Sequence, residues 1–281
     1  MKKIKLNNGI EMPILGFGLY QIPDHKECEK CVLDAIEVGY RSFDTAQAYF
    51  NEEAVGYGII KSGIPREDFF LTSKIWISNG GYEKAKISID ETLKKMQLDY
   101  IDLMLIHQPF NDYYGSYRAM EEYYKQGKIR AIGVSNFYPD RYIDLVNFVE
   151  IVPAINQVET HVFNQQEKAR EIMKKYGTQT ESWGPFAEGR NNFFSNENLK
   201  KIGEKYNKTV AQVALRFLIE KDIIIIPKTV SKERMKENFE IFDFQLTEEE
   251  MLLIKKMDER KSLFFSHNDS EIVEHLITMK K

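Results

Sequence analysis

Along the chain, short apolar or aromatic runs alternate with longer stretches whose apolar residues fall on one helical face. Eight short runs stand out: LGFGL from Leu15, RSFD from Arg41, FFLTSK from Phe69, IDLMLIH from Ile101, RAIGVS from Arg130, PAINQV from Pro153, GTQTES from Gly177 and DIIIIP from Asp222. All but GTQTES, which is mostly polar, have the β-branched or apolar content of a buried strand. Between the runs the period changes. In the stretch beginning at Tyr82, Ala85, Ile89, Leu93 and Met96 share one helical face. Thr209, three residues before Gln212, predicts a capping box for a helix with Val210, Val213, Ala214 and Phe217 on its apolar side. Gly39 and Gly177 stand where helices should stop. Asn8-Gly9 between two short apolar segments predicts a two-residue hairpin turn.

Strands separated by helix-length segments pair in parallel. Eight such units in 281 residues predict a closed (β/α)8 TIM barrel, which typically takes about 250 residues. The N-terminal hairpin precedes it, and extra helices and loops are expected at the C-terminal rim. No Pro/Gly/Ser-rich linker divides the chain, so residues 1–281 are expected to form a single domain.

Composition narrows the function. A net charge of −4 supplies no basic field for nucleic acid or an anionic membrane. No apolar run approaches the roughly 18 residues of a membrane span, and MKKIKLNNGIEM has no signal-peptide apolar region. A cytoplasmic protein is therefore expected. Cys28 and Cys31 formally spell C-x-x-C, but with Val32, Ala35 and Ile36 they form the apolar stripe of a helix. Core packing is the expected role for both thiols.

Barrel chemistry gathers at the carboxyl ends of the strands. Those ends carry Asp44, Lys74, His107, Ser135-Asn136, Gln157 to Glu159, Trp183 and Lys228. FDTAQAYFN adds Tyr49 just after Asp44. Taken singly, Asp44 could cap the next helix, and Tyr49 could be one of fifteen tyrosines at a surface. A polar group at almost every strand end, all on one rim, points instead to a reactive site.

GYRSFDTAQAYFNEEAVG, LTSKIW, IDLMLIHQP, GKIRAIGVSNF, NQVETH and IPKTVSKERMKEN resemble the successive signatures of the aldo-keto reductases, in that family's order. ESWGPF, from Glu181, is similar to the bacterial branch that includes diketogluconate and prostaglandin F synthase-like reductases. The resemblance implies NADPH-dependent reduction of an aldehyde or ketone by a monomer, with a catalytic tetrad of Asp44, Tyr49, Lys74 and His107. The residue types suit that chemistry. The cofactor brings a hydride, so the protein must supply orientation and an acid. An unperturbed tyrosine, with a pKa of about 10, is a weak acid near neutrality. A lysine ammonium beside Tyr49 is expected to lower it, with Asp44 keeping Lys74 charged and His107 directing the carbonyl oxygen.

No G-x-G-x-x-G follows a strand, so a Rossmann mode is not supported. Ser231 reads as an N-cap, which places Arg234 in a first helical turn where a cation opposes the helix dipole. Together with Lys228 it predicts a phosphate clamp after the last strand. The resemblance assigns Lys228, Thr229, Val230 and Arg234 to the 2′-phosphate end, Glu237 and Asn238 to the adenine, and Ser135, Asn136 and Gln157 to the carboxamide. It stacks the nicotinamide on Trp183 and runs the pyrophosphate past Gly184, Pro185 and Phe186; Arg190 is a further candidate. Expected substrate walls are Tyr20, Phe50, Trp76, His107 and Phe110. Gln108 stands where many members carry tryptophan, which predicts a more polar pocket. The tail SLFFSHNDSEIVEHL corresponds to the loop over the substrate mouth, with His267 a loop residue.

Two other readings compete. A metal-dependent hydrolase would use His107, Glu159 and His161, but five scattered histidines without an early pair fit zinc poorly, and no metal is expected. An NADP(H)-binding sensor with low turnover would keep the fold and cofactor, and an intact tetrad argues against it.

Overall fold

The computed structural model describes residues 2–279. Strands β1 (Lys3–Lys5) and β2 (Glu11–Pro13) form an antiparallel hairpin. Its turn is one residue longer than Asn-Gly predicts. Leu6 N–H donates to Ile10 O and Gly9 N–H to Leu6 O, leaving Asn7, Asn8 and Gly9 as a three-residue loop with Gly9 at φ 89°. That is a tight turn followed by a left-handed residue, which glycine adopts without a Cβ penalty.

Eight parallel strands follow: β3 (Phe17–Gly18), β4 (Ser42–Asp44), β5 (Phe70–Ile75), β6 (Ile101–Ile106), β7 (Ile129–Ser135), β8 (Ile155–Glu159), β9 (Gln179–Trp183) and β10 (Ile224–Ile225). Each pairs with its sequence neighbour. The sheet closes where Leu15 bridges Ile225 in parallel, with Gly16 N–H donating to Ile225 O and Ile225 N–H to Ile14 O. All eight sequence-predicted runs contribute a strand. Helices α1 (His25–Val38), α2 (Glu52–Lys61), α3 (Tyr82–Met96), α4 (Tyr113–Lys125), α5 (Pro139–Phe148) and α6 (Glu167–Lys175) fill successive crossovers. Between β9 and β10 the chain forms α7 (Glu197–Tyr206) and α8 (Val210–Glu220). After β10 come α9 (Lys232–Phe239), α10 (Glu248–Lys255) and α11 (Ser270–Thr278). No described helix is long and apolar enough to cross a membrane.

Side-chain alternation along each strand sorts the residues into two sets. Outward-facing Phe43, Leu71, Met104, Ile106, Ile132 and Val134 pack against the helices, together with the Cys28, Cys31, Val32, Ala35 and Ile36 stripe of α1. Both thiols are buried, and burial pushes the Cys28 pKa up to about 12 and that of Cys31 up to about 11. The inward set changes character with height. At the bottom Phe70, Leu103, Leu105, Ala131 and Ile155 pack with Leu6 and Met12 of the hairpin, which plugs the barrel floor. Two or four residues on from these, the same faces present Lys74, His107, Ser135 and Gln157. The dry floor and the polar rim are thus one alternation read from end to end. The polarity of GTQTES has the same origin. Thr180, Glu181 and Ser182 are all buried, with Glu181 on the inward face and Ser182 Oγ donating to Thr160 O at 2.6 Å.

Candidate active site

Asp44 ends β4, opposite Thr72 of β5, and Lys74 lies one inward position further along β5. The Lys74 side chain is fully buried, and its three ammonium protons have three acceptors: Asp44 Oδ1 at 2.5 Å, Thr45 O at 2.9 Å and Tyr49 Oη at 3.3 Å. Asp44 is therefore a counter-ion and no helix cap. Tyr49 ends a short 3-10 turn, Gln47–Tyr49, after which Phe50 reverses the chain with φ 57°. Asn51 pins this loop, accepting from Thr45 Oγ1 at 2.5 Å and donating to Leu19 O and Ile22 O. Its buried amide makes the position of Tyr49 a property of the scaffold. His107 stands edge-on to Tyr49, with ring centroids 5.5 Å apart, and edge-on to Trp76 at 5.0 Å. Tyr20 packs on the other side of Tyr49 at 5.0 Å.

The electrostatics differ from expectation in one respect. Burial opposes the Lys74 charge, but the Asp44 carboxylate and Tyr49 outweigh it and hold the lysine pKa above its usual value. For Tyr49 burial is the larger effect: it pushes the phenol up to about 12 although the Lys74 charge pulls it down. Tyr49 is thus a weaker acid than an ordinary phenol. It is a phenol held fully protonated, with the charge that can receive its electron density already in contact.

The strand-end reasoning named Gln157 but missed its partner Glu181. Gln157 of β8 and Glu181 of β9 are register partners facing the barrel interior. Gln157 Nε2 donates to Asp44 Oδ2 at 2.8 Å and to Glu181 Oε2 at 3.0 Å. Burial first, then the Asp44 carboxylate, push the Glu181 pKa up to about 8. The one sequence signal was an acid in a strand whose other faces are covered.

Ser135, Asn136, Gln157 and Trp183 come together, already knitted to one another. Ser135 Oγ donates to Gln157 O at 2.9 Å, Asn136 Nδ2 donates to Ser135 Oγ at 3.1 Å and to His107 O at 3.2 Å, and Trp183 Nε1 donates to Asn136 Oδ1 at 2.8 Å. Asn136 adopts φ 63°, a conformation asparagine tolerates better than most residues.

At the other end of the site, a cavity of about 600 Å³ is lined by Phe186, Lys228, Thr229, Arg234, Glu237 and Asn238, as the clamp reading expects. Ser231 accepts from Arg234 N–H at 3.3 Å and caps α9. Lys200, Lys208 and Thr209 also line the cavity. They arrive from α7 and the α7–α8 turn, far from the predicted motif in sequence, which is why the motif did not name them. Val230 does not line this cavity and is 47% exposed. Gly184 takes φ 62°, and Arg190 is committed elsewhere, donating to Leu263 O at 3.1 Å with its guanidinium over Phe264. It braces the tail instead of facing a pyrophosphate.

The rim has an open and a covered side. Tyr20 and Phe50 are exposed, whereas Trp76 and Phe110 are buried beneath Leu276 of α11, with Ile272, Val273 and Met279 packed around them. His267 is buried too: its ring bonds Gln108 Oε1 at 2.7 Å and stacks on Phe110, and burial lowers its pKa to about 4. Gln108, the predicted polar departure, is thus the tail's anchor. Glu159 and His161 bond each other at 2.9 Å, and Glu159 accepts from Leu263 N–H, so both serve loop structure. Among the described residues no group of three His, Cys, Asp or Glu side chains could hold a metal. A wider cleft of about 780 Å³ lies on the far side of Trp183, between α6 and the tail. It contains no tetrad member, so convergent ionisable groups identify the reactive site better than volume does.

Comparison with known proteins agrees with this geometry. The profile of the Aldo/keto reductase family matches residues 14–259. The chain is 46% identical over 249 residues to a glyoxal reductase of Bacillus subtilis, covering 88% of this chain and 90% of that protein. It is 41% identical to the methylglyoxal reductase DkgA of Yersinia pestis, covering 92% and 94%. Among solved structures, an aldo-keto reductase from a deep-sea metagenome library superposes with a TM-score of 0.92 at 42% identity, covering 95% and 98%. A Bombyx mori aldo-keto reductase in complex with NADP gives 0.88 at 33% identity, covering 92% and 94%. With a barrel rim that brings Asp44, Tyr49, Lys74 and His107 together and a family match over most of its length, the chain belongs to the aldo/keto reductase family.

Proposed function

We propose that this chain is an NADPH-dependent carbonyl reductase for small aldehydes and ketones, α-dicarbonyls foremost, with Tyr49 as proton donor. The observation that carries the reading is the buried ammonium of Lys74, bonded at once to Asp44 and to the Tyr49 hydroxyl.

NADPH fits the residues present. Lys228, Arg234, Lys200 and Lys208 around one cavity at the start of α9 form a cationic donor set for a phosphate ester. Lys228 and Arg234 would hold the 2′-phosphate, Asn238 would face the adenine, and Trp183 with Gln157 would border the nicotinamide. When bound, the cofactor supplies the hydride that reduces the carbonyl carbon. The chain's own part is the proton. A carbonyl oxygen between His107 and Tyr49 takes the Tyr49 hydroxyl proton as charge develops on it. Lys74 stabilises the resulting phenolate by hydrogen bond and charge, and Asp44 keeps that lysine ionised in the dry interior.

Two features support a small substrate. Trp76 and Phe110 are covered by α11, and the relatives carry the names glyoxal and methylglyoxal reductase. Steady-state NADPH oxidation should be measured over a panel of α-dicarbonyls, keto-sugars and simple aldehydes, for wild type and Tyr49→Phe. Turnover should be highest on the α-dicarbonyls, and the variant should lose about 10²-fold or more while keeping its NADPH affinity. A variant within about tenfold of wild type, ~1.4 kcal/mol of barrier, would exclude Tyr49 as the donor. Tight NADPH binding with no turnover on any compound would favour a sensor.

A further inference from the structure

We propose that Glu181 is a positioning residue of this centre: a buried carboxyl group, linked to Asp44 through the amide of Gln157, whose charge once it ionises acts on Lys74 and Tyr49. The proposal rests on the reductase reading of the site. Glu181 is fully buried on the inward face of β9, and both amide hydrogens of Gln157 are spoken for, one by Asp44 Oδ2 and one by Glu181 Oε2. The charged groups facing it are Asp44 from β4 and Lys74 from β5; β8 contributes the neutral Gln157 and β10 the apolar Ile224 in register.

Charge counting decides the protonation state. Asp44 and Lys74 already neutralise each other at 2.5 Å. An ionised Glu181 would be a second buried carboxylate with no cation of its own, and its Oε1 has no hydrogen-bond partner. In the neutral acid Oε1 carries the proton, and an unpaired buried hydroxyl costs far less than an unpaired buried carboxylate. The neutral group still accepts from Gln157 through Oε2. With both amide hydrogens drawn toward the two acids, the Gln157 oxygen faces away from them. Once Glu181 loses its proton at higher pH, its charge favours the Lys74 ammonium and holds the proton on Tyr49. The residue therefore extends the pH range over which Tyr49 remains an acid.

The test is Glu181→Gln, which keeps shape and removes the ionisation. Profiles of kcat/KM against pH should show the alkaline limb of the variant displaced downward by about half a unit or more, roughly threefold in rate at a pH on that limb. A purely structural role would alter yield or Tm without moving the limb. Superimposable limbs from folded protein overturn the proposal. Should the variant fail to fold, infrared difference spectra of the wild type between neutral and mildly alkaline pH remain decisive. A carboxyl C=O band converting to carboxylate, and persisting in Glu52→Gln, supports it; no such band overturns it. Activity retained by Tyr49→Phe would remove Tyr49 as the donor, and absence of turnover by the wild type on every carbonyl would remove the reductase reading itself. An inactive Tyr49→Phe with unmoved Glu181→Gln limbs removes only the role of Glu181.

Discussion

Replacing Asp44 with asparagine tests the buried ion pair at the centre of the site. The pair is 2.5 Å apart, with the lysine side chain wholly buried and the aspartate 4% exposed, so solvent screening is slight. Asparagine keeps the shape but offers one oxygen and an amide where the carboxylate offered two acceptors, so Lys74 or Gln157 must face a donor. Removing one partner of a buried pair costs about 3–5 kcal/mol. Because Thr45 O and Tyr49 Oη still bond Lys74, the lower end of that range, about 3 kcal/mol, is expected. The pH dependence gives a sharper reading. In the wild type the Lys74 pKa lies above its usual 10.5, so its stabilisation is complete below that pH and is lost as pH rises through the folded value. In Asp44→Asn the largest opposition to burial is gone, and the folded pKa is expected to fall below the unfolded one. The unfolded chain then binds more protons, and stability must rise with pH up to the unfolded value. Urea unfolding of both proteins should be compared above about pH 9, past most of the range where Glu181, with its pKa of about 8, titrates. A loss below about 1 kcal/mol, the scale of a surface pair, with parallel slopes would refute the account of Lys74 as a buried, charge-compensated ammonium.

Lys228→Ala should weaken NADPH binding by about tenfold or more, with little effect on NADH, because the proposed clamp has the lysine give a charge-assisted bond to the 2′-phosphate alone. Equal losses for both cofactors in fluorescence titrations would remove the clamp. Cys28 and Cys31, whose pKa values burial lifts to about 12 and about 11, should react with an alkylating reagent only after denaturation; rapid labelling of native protein by mass spectrometry would show that α1 opens. Gly56→Ala would press a methyl group onto the Met96 carbonyl oxygen, where α2 packs on the end of α3. A destabilisation of about 1–3 kcal/mol is expected in thermal unfolding, against the slight gain that alanine brings to an open helix position.

Several of these features were legible in the chain before any coordinates. The eight short runs, the helical stripe of α1 and the Thr209–Gln212 capping box depend on neighbours a few residues apart, and each appears where its pattern places it. Asp44, Lys74 and His107 were legible for a related reason. Once the strands are known to be parallel, their carboxyl ends must share a rim. The hairpin turn was misjudged because Asn-Gly fits both a two-residue loop and a longer turn that ends in a left-handed glycine, and Leu6 and Ile10 choose between them by pairing.

By itself, then, the order of residues determined the periodicity, the strand ends and hence the set of groups that meet at the barrel mouth. Only the tertiary structure decided how those groups share protons. The upward pKa of Tyr49 arises from burial beside Tyr20 and His107, and the neutral state of Glu181 from a competition with Asp44 across three strands. His267 lost its charge to a cavity closed by its own tail. These are long-range effects of desolvation and proximity. They depend on how much water the fold excludes and which charges it brings within a few ångströms, and no local pattern along the chain encodes either.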